Sequence, residues 1–216
     1  MDADSTRRKN AYQTMIQEFK DGKYDILIGT QMIAKGLDFP NVTLVGVLNA
    51  DSTLNIPDFR SSERTFQLLS QVAGRAGRGH LEGEVIFQGF NMDHYSVVCA
   101  STHDYQTFYQ KEMQIRKMLQ YPPYINFALL QIISKDEKKA EQESNKIKQY
   151  LEKQNVGILL GPSMANLYKY QDRYHYQIII KFKDTKKIIQ PFSFLRGQYK
   201  QNRLVNLEID MNPLKI

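Results

Sequence analysis

Two arginines three residues apart, each preceded by a small residue and a glycine or directly by a glycine, stand in the run Gln71-Val72-Ala73-Gly74-Arg75-Ala76-Gly77-Arg78-Gly79. Gly74 and Gly77 clear space beside the two guanidinium groups, so that a bulky ligand or a second domain can approach. A guanidinium is always charged and presents a planar fork of donors that suits phosphate oxygens. Aimed at a γ-phosphate from outside the nucleotide pocket, such a group stabilises transition-state charge and is worth about 10³–10⁵ in rate. The plainer alternative is a helix C-terminus whose arginines interact with its own dipole. Further upstream, Gly29-Thr30-Gln31-Met32-Ile33-Ala34-Lys35-Gly36-Leu37-Asp38-Phe39-Pro40 follows the apolar run Ile26-Leu27-Ile28. Gly29 and Thr30 fall where a strand is expected to end, the usual ligand edge of an open α/β sheet. Their backbone N–H and hydroxyl suit a phosphate of a nucleic-acid strand. Gly36 permits a tight turn, and Asp38 can accept from a ribose hydroxyl or pair with an arginine; alone, such a turn is only a turn.

The elements that would carry these segments follow from hydrophobic period. Residues 5–21 read as a helix with Ala11, Tyr12, Met15, Ile16 and Phe19 on one face. Ile26–Ile28 and Val42–Leu48 read as short buried strands bounded by turn residues, residues 61–76 as a helix, and Glu84–Phe87 as a third strand. Strands alternating with helices predict an α/β layer on a parallel sheet. Residues 93–120 read as one polar helix, which Tyr121-Pro122-Pro123 cannot continue. Beyond it, strand 125–134, helix 136–154, strands 164–170 and 174–183, helix 186–199 and strand 203–210 give the order β-α-β-β-α-β, the ferredoxin-like arrangement. Two domains are therefore expected, 1–120 and 121–216.

Composition narrows the partners. The chain has 216 residues and a net charge of +6, with a single cysteine, Cys99, which excludes an intrachain disulfide and a cysteine zinc site. Residues 1–92 hold 10 Lys and Arg against 11 Asp and Glu, residues 93–216 hold 19 against 12, and the stretch 168–203 holds 9 against 2. The second half thus faces polyanions or is simply a lysine-rich, solvated surface. Tyr168, Lys169, Tyr170, Arg173, Tyr174, His175 and Tyr176 interleave aromatic with basic groups, so that bases can stack while phosphates are neutralised. The same alternation would equally place the tyrosines against a helix as core. Lys181, Lys183, Lys186 and Lys187 suit phosphates, an acidic partner or solvent. No apolar run approaches a membrane span and no signal peptide opens the chain, so no membrane association and a cytoplasmic setting are expected.

The segments GTQMIAKGLDFPNVTLVGVLNAD, DFRSSERTFQLLSQVAGRAGRG and YPPY together resemble motifs V and VI and the following junction of superfamily-2 DNA helicases of the primosomal, replication-restart type. The resemblance implies the second RecA-like lobe of an ATP-dependent helicase, followed by a ferredoxin-like domain that binds DNA or a partner. In such enzymes ATP sits between two lobes, with Arg75 and Arg78 facing the γ-phosphate, Gln71 beside them, Gly36 and Asp38 at the nucleotide edge, and Gly29 and Thr30 near the DNA backbone. The P-loop lobe, which handles ATP and Mg²⁺, and the family's zinc-binding insert are absent from this sequence, so the natural protein is expected to continue upstream and this piece to be inactive as an ATPase alone. The implied activity is 3′-to-5′ unwinding at stalled forks, with forked and single-stranded DNA, single-strand DNA-binding protein and other primosome proteins as partners. A non-catalytic nucleic-acid or protein-binding module built on a helicase-like lobe is the competing expectation.

Overall fold

A computed structural model of the protein describes residues 11–30, 39, 41–74 and 83–214. The chain divides into two compact units, Met1–Glu112 and Met113–Ile216.

In the first unit the described elements are α1 (Ala11–Lys20), β1 (Leu44–Val47), a 3₁₀ turn (Ser52–Asn55), α2 (Ser61–Ala73), β2 (Glu84–Phe87), α3 (Tyr95–Ser101) and α4 (Tyr105–Met118), within which the division between units falls. β1 and β2 pair in parallel, Leu44 opposite Glu84 through Val47 opposite Phe87. The expected α/β character holds, but the expected strand at Ile26–Ile28 does not form. Ile26 and Ile28 are each 77% exposed and belong to no ladder among the described residues. An apolar run becomes a strand only when its N–H and C=O groups find a partner strand.

Beyond the C-terminal ends of the pair, the Asp51 carboxylate accepts the backbone N–H groups of Asn91 (2.7 Å) and Phe90 (2.9 Å). Those bonds, Asn91 first, hold the Asp51 carboxyl below the usual carboxylate range against the effect of burial. A Cβ on Gly89 would lie 2.4 Å from the Asp51 Oδ1, so only glycine fits beside this anchored carboxylate. Phe66 and Leu69 of α2 pack with Val97, Cys99 and Ala100 of α3 and with Phe108 of α4. The Phe66 and Phe108 rings stack at 4.2 Å.

The single helix expected over residues 93–120 is two. His103 takes a φ of 54° between α3 and α4, and Asp104 restarts the helix by accepting the Thr107 N–H at 2.9 Å. α3 is itself capped by His94, whose Nδ1 accepts from the Ser96 N–H (3.3 Å) and lies 2.8 Å from the Ser96 hydroxyl.

The second unit contains β3 (Asn126–Ser134), α5 (Glu137–Lys153), β4 (Ile158–Tyr170), β5 (Arg173–Phe182), α6 (Lys186–Tyr199) and β6 (Val205–Met211). Its sheet runs β4-β5-β3-β6, all neighbours antiparallel. This is the ferredoxin-like topology that the sequence predicts. On α5, Ala140, Ser144, Ile147 and Leu151 form a helical stripe over Leu130, Ile132, Ile178 and Ile180 of the two central strands, and Ile188, Phe192 and Leu195 of α6 complete the core. β4 starts six residues before its expected position. Gly161 and Pro162 do not turn the chain but sit at a register shift inside the strand, where Gly161 takes a φ of 100°. β4 and β5 meet in a two-residue turn, with Gln171 and Asp172 both at positive φ (50° and 54°), the geometry that matches strand twist in tight hairpins.

The His94 cap sets a pH dependence. Burial pushes this imidazole below its usual range, opposed by the charge of Glu112, and only the neutral ring can accept the Ser96 N–H. A folded-state value below the unfolded one means that the stabilisation is complete above about pH 6.5 and is lost as pH falls through the folded value. The melting temperature is expected to fall more between pH 7 and pH 5 in the native chain than in His94→Asn, which keeps a capping acceptor without titrating. Equal falls in circular-dichroism melts would show that His94 is not the group responsible.

Candidate nucleotide and nucleic-acid sites

The start of α2 is built by one carboxylate. Asp58, whose side chain is 5% exposed, receives the Arg60 guanidinium as a fork, Nε to Oδ1 at 2.9 Å and Nη2 to Oδ2 at 3.0 Å. Arg64 adds a third contact, Nη1 to Oδ2 at 3.2 Å. The Arg60 backbone N–H also donates to Oδ1 (3.0 Å), and the Ser61 hydroxyl contacts the carbonyls of Ile56 and Asp58 at 2.6 and 2.7 Å. Burial works against the Asp58 charge, but the hydrogen bonds from Arg60 and the charges of Arg60 and Arg64 outweigh it, so its carboxyl stays below the usual range. Hydrophobic period and motif spacing do not single out these residues. Their signal was present in Asp58-Phe59-Arg60 and Arg64, an acid just ahead of a helix with basic groups two and six residues on.

Arg64, Gln67, Leu68 and Gln71 follow one another along one side of α2 and, with Thr53 and Ile56, line an open groove of about 400 Å³. Gln71 is exposed, and α2 ends two residues later with the Gly74 N–H donating to the Ser70 carbonyl at 3.2 Å. Gly29 and Thr30 are exposed in an irregular segment after Ile28. Arg75, Arg78, Gly36 and Asp38 lie outside the described residues.

In the second unit the tyrosines of the β4–β5 hairpin divide. Tyr176 is buried in the core, and Tyr168 packs against that core. The Tyr168 ring meets Tyr174 at 5.5 Å and Tyr176 at 6.0 Å, and its hydroxyl donates to the Glu137 carboxylate at the start of α5, a bond that raises its pKa. Tyr170 is 53% exposed at the tip, paired across the strands with the exposed Arg173. Lys169 lies 5.2 Å above the Tyr174 ring and 3.8 Å from the Asp172 carboxylate. Lys181 stands apart from the other lysines. Its ammonium lies 4.2 Å over the Tyr121 ring and 5.5 Å over Phe127, and it donates to the Leu119 carbonyl at 3.2 Å. Desolvation lowers its pKa. Lys183, Lys186 and Lys187 are exposed around the start of α6.

Comparison with known proteins then decides the family. The profile of the family described as "Helicase conserved C-terminal domain" matches residues 2–80, and that of "Primosomal protein N C-terminal domain" matches residues 117–214. The replication restart protein PriA of Bacillus subtilis is 49% identical over 219 residues, covering 99% of this chain. This chain belongs to the PriA family. The PriA of Synechocystis is 40% identical over 217 residues, covering 100% of the chain, and that of Haemophilus influenzae 36% identical over 216 residues, covering 99%. The chain spans 27%, 26% and 30% of the lengths of these three PriA proteins. The family match thus takes in both units, and the arginine run Gly74–Gly79 falls inside the helicase profile. No helix among the described residues is long and apolar enough to cross a membrane.

The placement of Lys181 gives a direct test. A cation held over an aromatic face is worth about 0.5–2 kcal/mol. Lys181→Ala is expected to lower the unfolding free energy by about 1 kcal/mol in urea titrations, whereas Lys183→Ala at the exposed neighbouring site changes it by less than about 0.5 kcal/mol. Equal effects would show that the Tyr121 and Leu119 contacts do not hold Lys181.

Proposed function

We propose that this chain is the C-terminal part of an ATP-dependent 3′-to-5′ DNA helicase that acts in replication restart and primosome assembly at stalled forks. Within it, residues 1–120 are the C-terminal part of the second RecA-like lobe and residues 121–216 a domain that binds DNA or a partner. The observation that supports this most is that α2 presents Gln71 on an exposed face and ends immediately before the arginine pair. Arg75 and Arg78 follow Gln71 toward the γ-phosphate, with Arg78 as the finger that neutralises charge developing on the transferred phosphoryl oxygens. Gly36 and Asp38 lie at the nucleotide edge, and Gly29 and Thr30 hold the DNA backbone.

ATP supplies the phosphoanhydride that is hydrolysed. The donors that this chain brings, a carboxamide and two guanidiniums, fit phosphate oxygens. Among the described residues no group of three His, Cys, Asp or Glu is placed to hold a metal ion. In this reading Mg²⁺, the P-loop and the zinc of the family's cysteine-rich insert belong to the rest of the protein, since the chain spans 27% of the length of its Bacillus subtilis relative, and the chain alone does not turn over ATP. On the second domain, Lys169, Tyr170 and Arg173 at the hairpin tip, with Lys183, Lys186 and Lys187, meet single-stranded or forked DNA. Tyr168 and Lys181 stiffen the domain behind that face. Single-strand DNA-binding protein and other primosome proteins are the expected partners, in the cytoplasm.

The deciding experiment is DNA-stimulated ATP turnover by the full-length protein carrying Arg78→Ala. Turnover should fall by about 10³-fold or more while binding of forked DNA survives. Unchanged turnover would instead make the lobe a non-catalytic binding module.

A further inference from the structure

Asp58 is nearly buried and lies just ahead of α2, at the opposite end from Gln71. Its carboxylate takes the backbone N–H and guanidinium fork of Arg60 and the guanidinium of Arg64, and its carbonyl takes the Ser61 hydroxyl. No side-chain cap comes from Arg60, the residue at the N-cap position. The beginning of α2 is therefore fixed by Asp58 and by Ser61, which reaches back to the Ile56 carbonyl at 2.6 Å. Arg60 and Arg64 are one turn apart, so one carboxylate that holds both also fixes the rotation of the helix about its axis. Arg64 shares its side of α2 with Gln67 and Gln71 along the groove. The rotation that brings Arg64 to Asp58 is thus the rotation that presents Gln71.

We propose that Asp58 is a positioning residue for ATP hydrolysis: by gripping Arg60 and Arg64 it sets the axial rotation and tilt of α2, and so places Gln71 against the γ-phosphate. The proposal rests on the assignment of Gln71 and Arg78 to the ATP site. Its leverage is geometric. α2 has thirteen residues, roughly 20 Å of helix, so that a tilt of about 3° at its first turn moves its last turn by about 1 Å. A misplacement of about 1 Å at a reacting centre costs about 10² in rate. The apolar contacts of Phe66 and Leu69 on the buried side of α2 hold the helix down but are non-directional, whereas the forked ion pair fixes an angle.

The test is steady-state ATP hydrolysis by the full-length protein with saturating DNA, comparing native, Asp58→Asn, Arg64→Lys and Arg78→Ala forms, with thermal melts of each. Asp58→Asn keeps the size and loses the charge; Arg64→Lys keeps the charge and loses the planar geometry. The expected result is a fall in kcat of about tenfold or more for Asp58→Asn and a smaller fall for Arg64→Lys, with KM for ATP within about threefold of native and both proteins folded at the assay temperature. Native kcat in both variants, while Arg78→Ala abolishes turnover, would overturn the positioning role and leave the ATP-site assignment standing. A loss of kcat that follows the unfolded fraction would also overturn it. Native turnover in Arg78→Ala would remove the ATP-site assignment itself, and the role of Asp58 with it.

Discussion

A carboxylate taken out of water costs several kcal/mol unless its lone pairs and charge are met, and at Asp58 they are met by two guanidinium groups and a backbone N–H. Removing one partner would leave an uncompensated buried charge, so the arrangement tolerates little slack. That constraint fixes where α2 begins. α2 in turn supplies Phe66 and Leu69 to the first unit's core and carries Gln71 on its other side. A helix anchored by directional contacts at one end and apolar packing along its length is a rigid rod. A rod of this kind suits the proposed phosphate-facing role of Gln71, since electrostatic stabilisation of a transition state depends on donors that are already in place.

The same division of labour recurs in the second unit. The core between the sheet and its two helices is aliphatic, and the groups that look suited to DNA are partly engaged in holding that core's margins. Tyr168 ties β4 to the start of α5 through Glu137, and Tyr199 of α6 donates to Glu143 of α5 at 2.6 Å. Lys181 secures the segment around Tyr121. What is left at the surface is a short hairpin tip with an exposed tyrosine and arginine, and three lysines around the start of α6. A positively charged surface over a well-tied scaffold accepts a polyanion with little reorganisation.

Much of this was legible in the residues. Period alone located α6 at Lys186–Tyr199 and β2 at Glu84–Phe87, and the ferredoxin-like order needed only the succession of elements. The motif run from Gly74 to Gly79 falls inside the helicase family match. The failures have separate causes. Ile26–Ile28 is as apolar as a strand but makes no ladder among the described residues, and hydrophobicity does not report strand pairing. The break before Asp104 was hidden because a cap inside a polar stretch looks like one more polar residue. Among the hairpin residues, alternation could not separate core from surface: Tyr168 and Tyr176 turn to the core while Tyr170 does not. Asp58 escaped notice because its importance lies in being shared by two arginines, which only the folded turn reveals.

In the proposed reading this chain contributes a guanidinium contact that is made only as the γ-phosphate leaves. The most direct measurement is the affinity of the full-length protein and its Arg78→Ala form for ADP alone and for ADP with aluminium fluoride, which imitates the planar transferring phosphoryl group. If Arg78 makes that contact, Arg78→Ala weakens binding of the transition-state mimic by about 10³-fold or more and changes ADP affinity by less than about threefold. Equal weakening of both ligands, or no weakening of either, would contradict it.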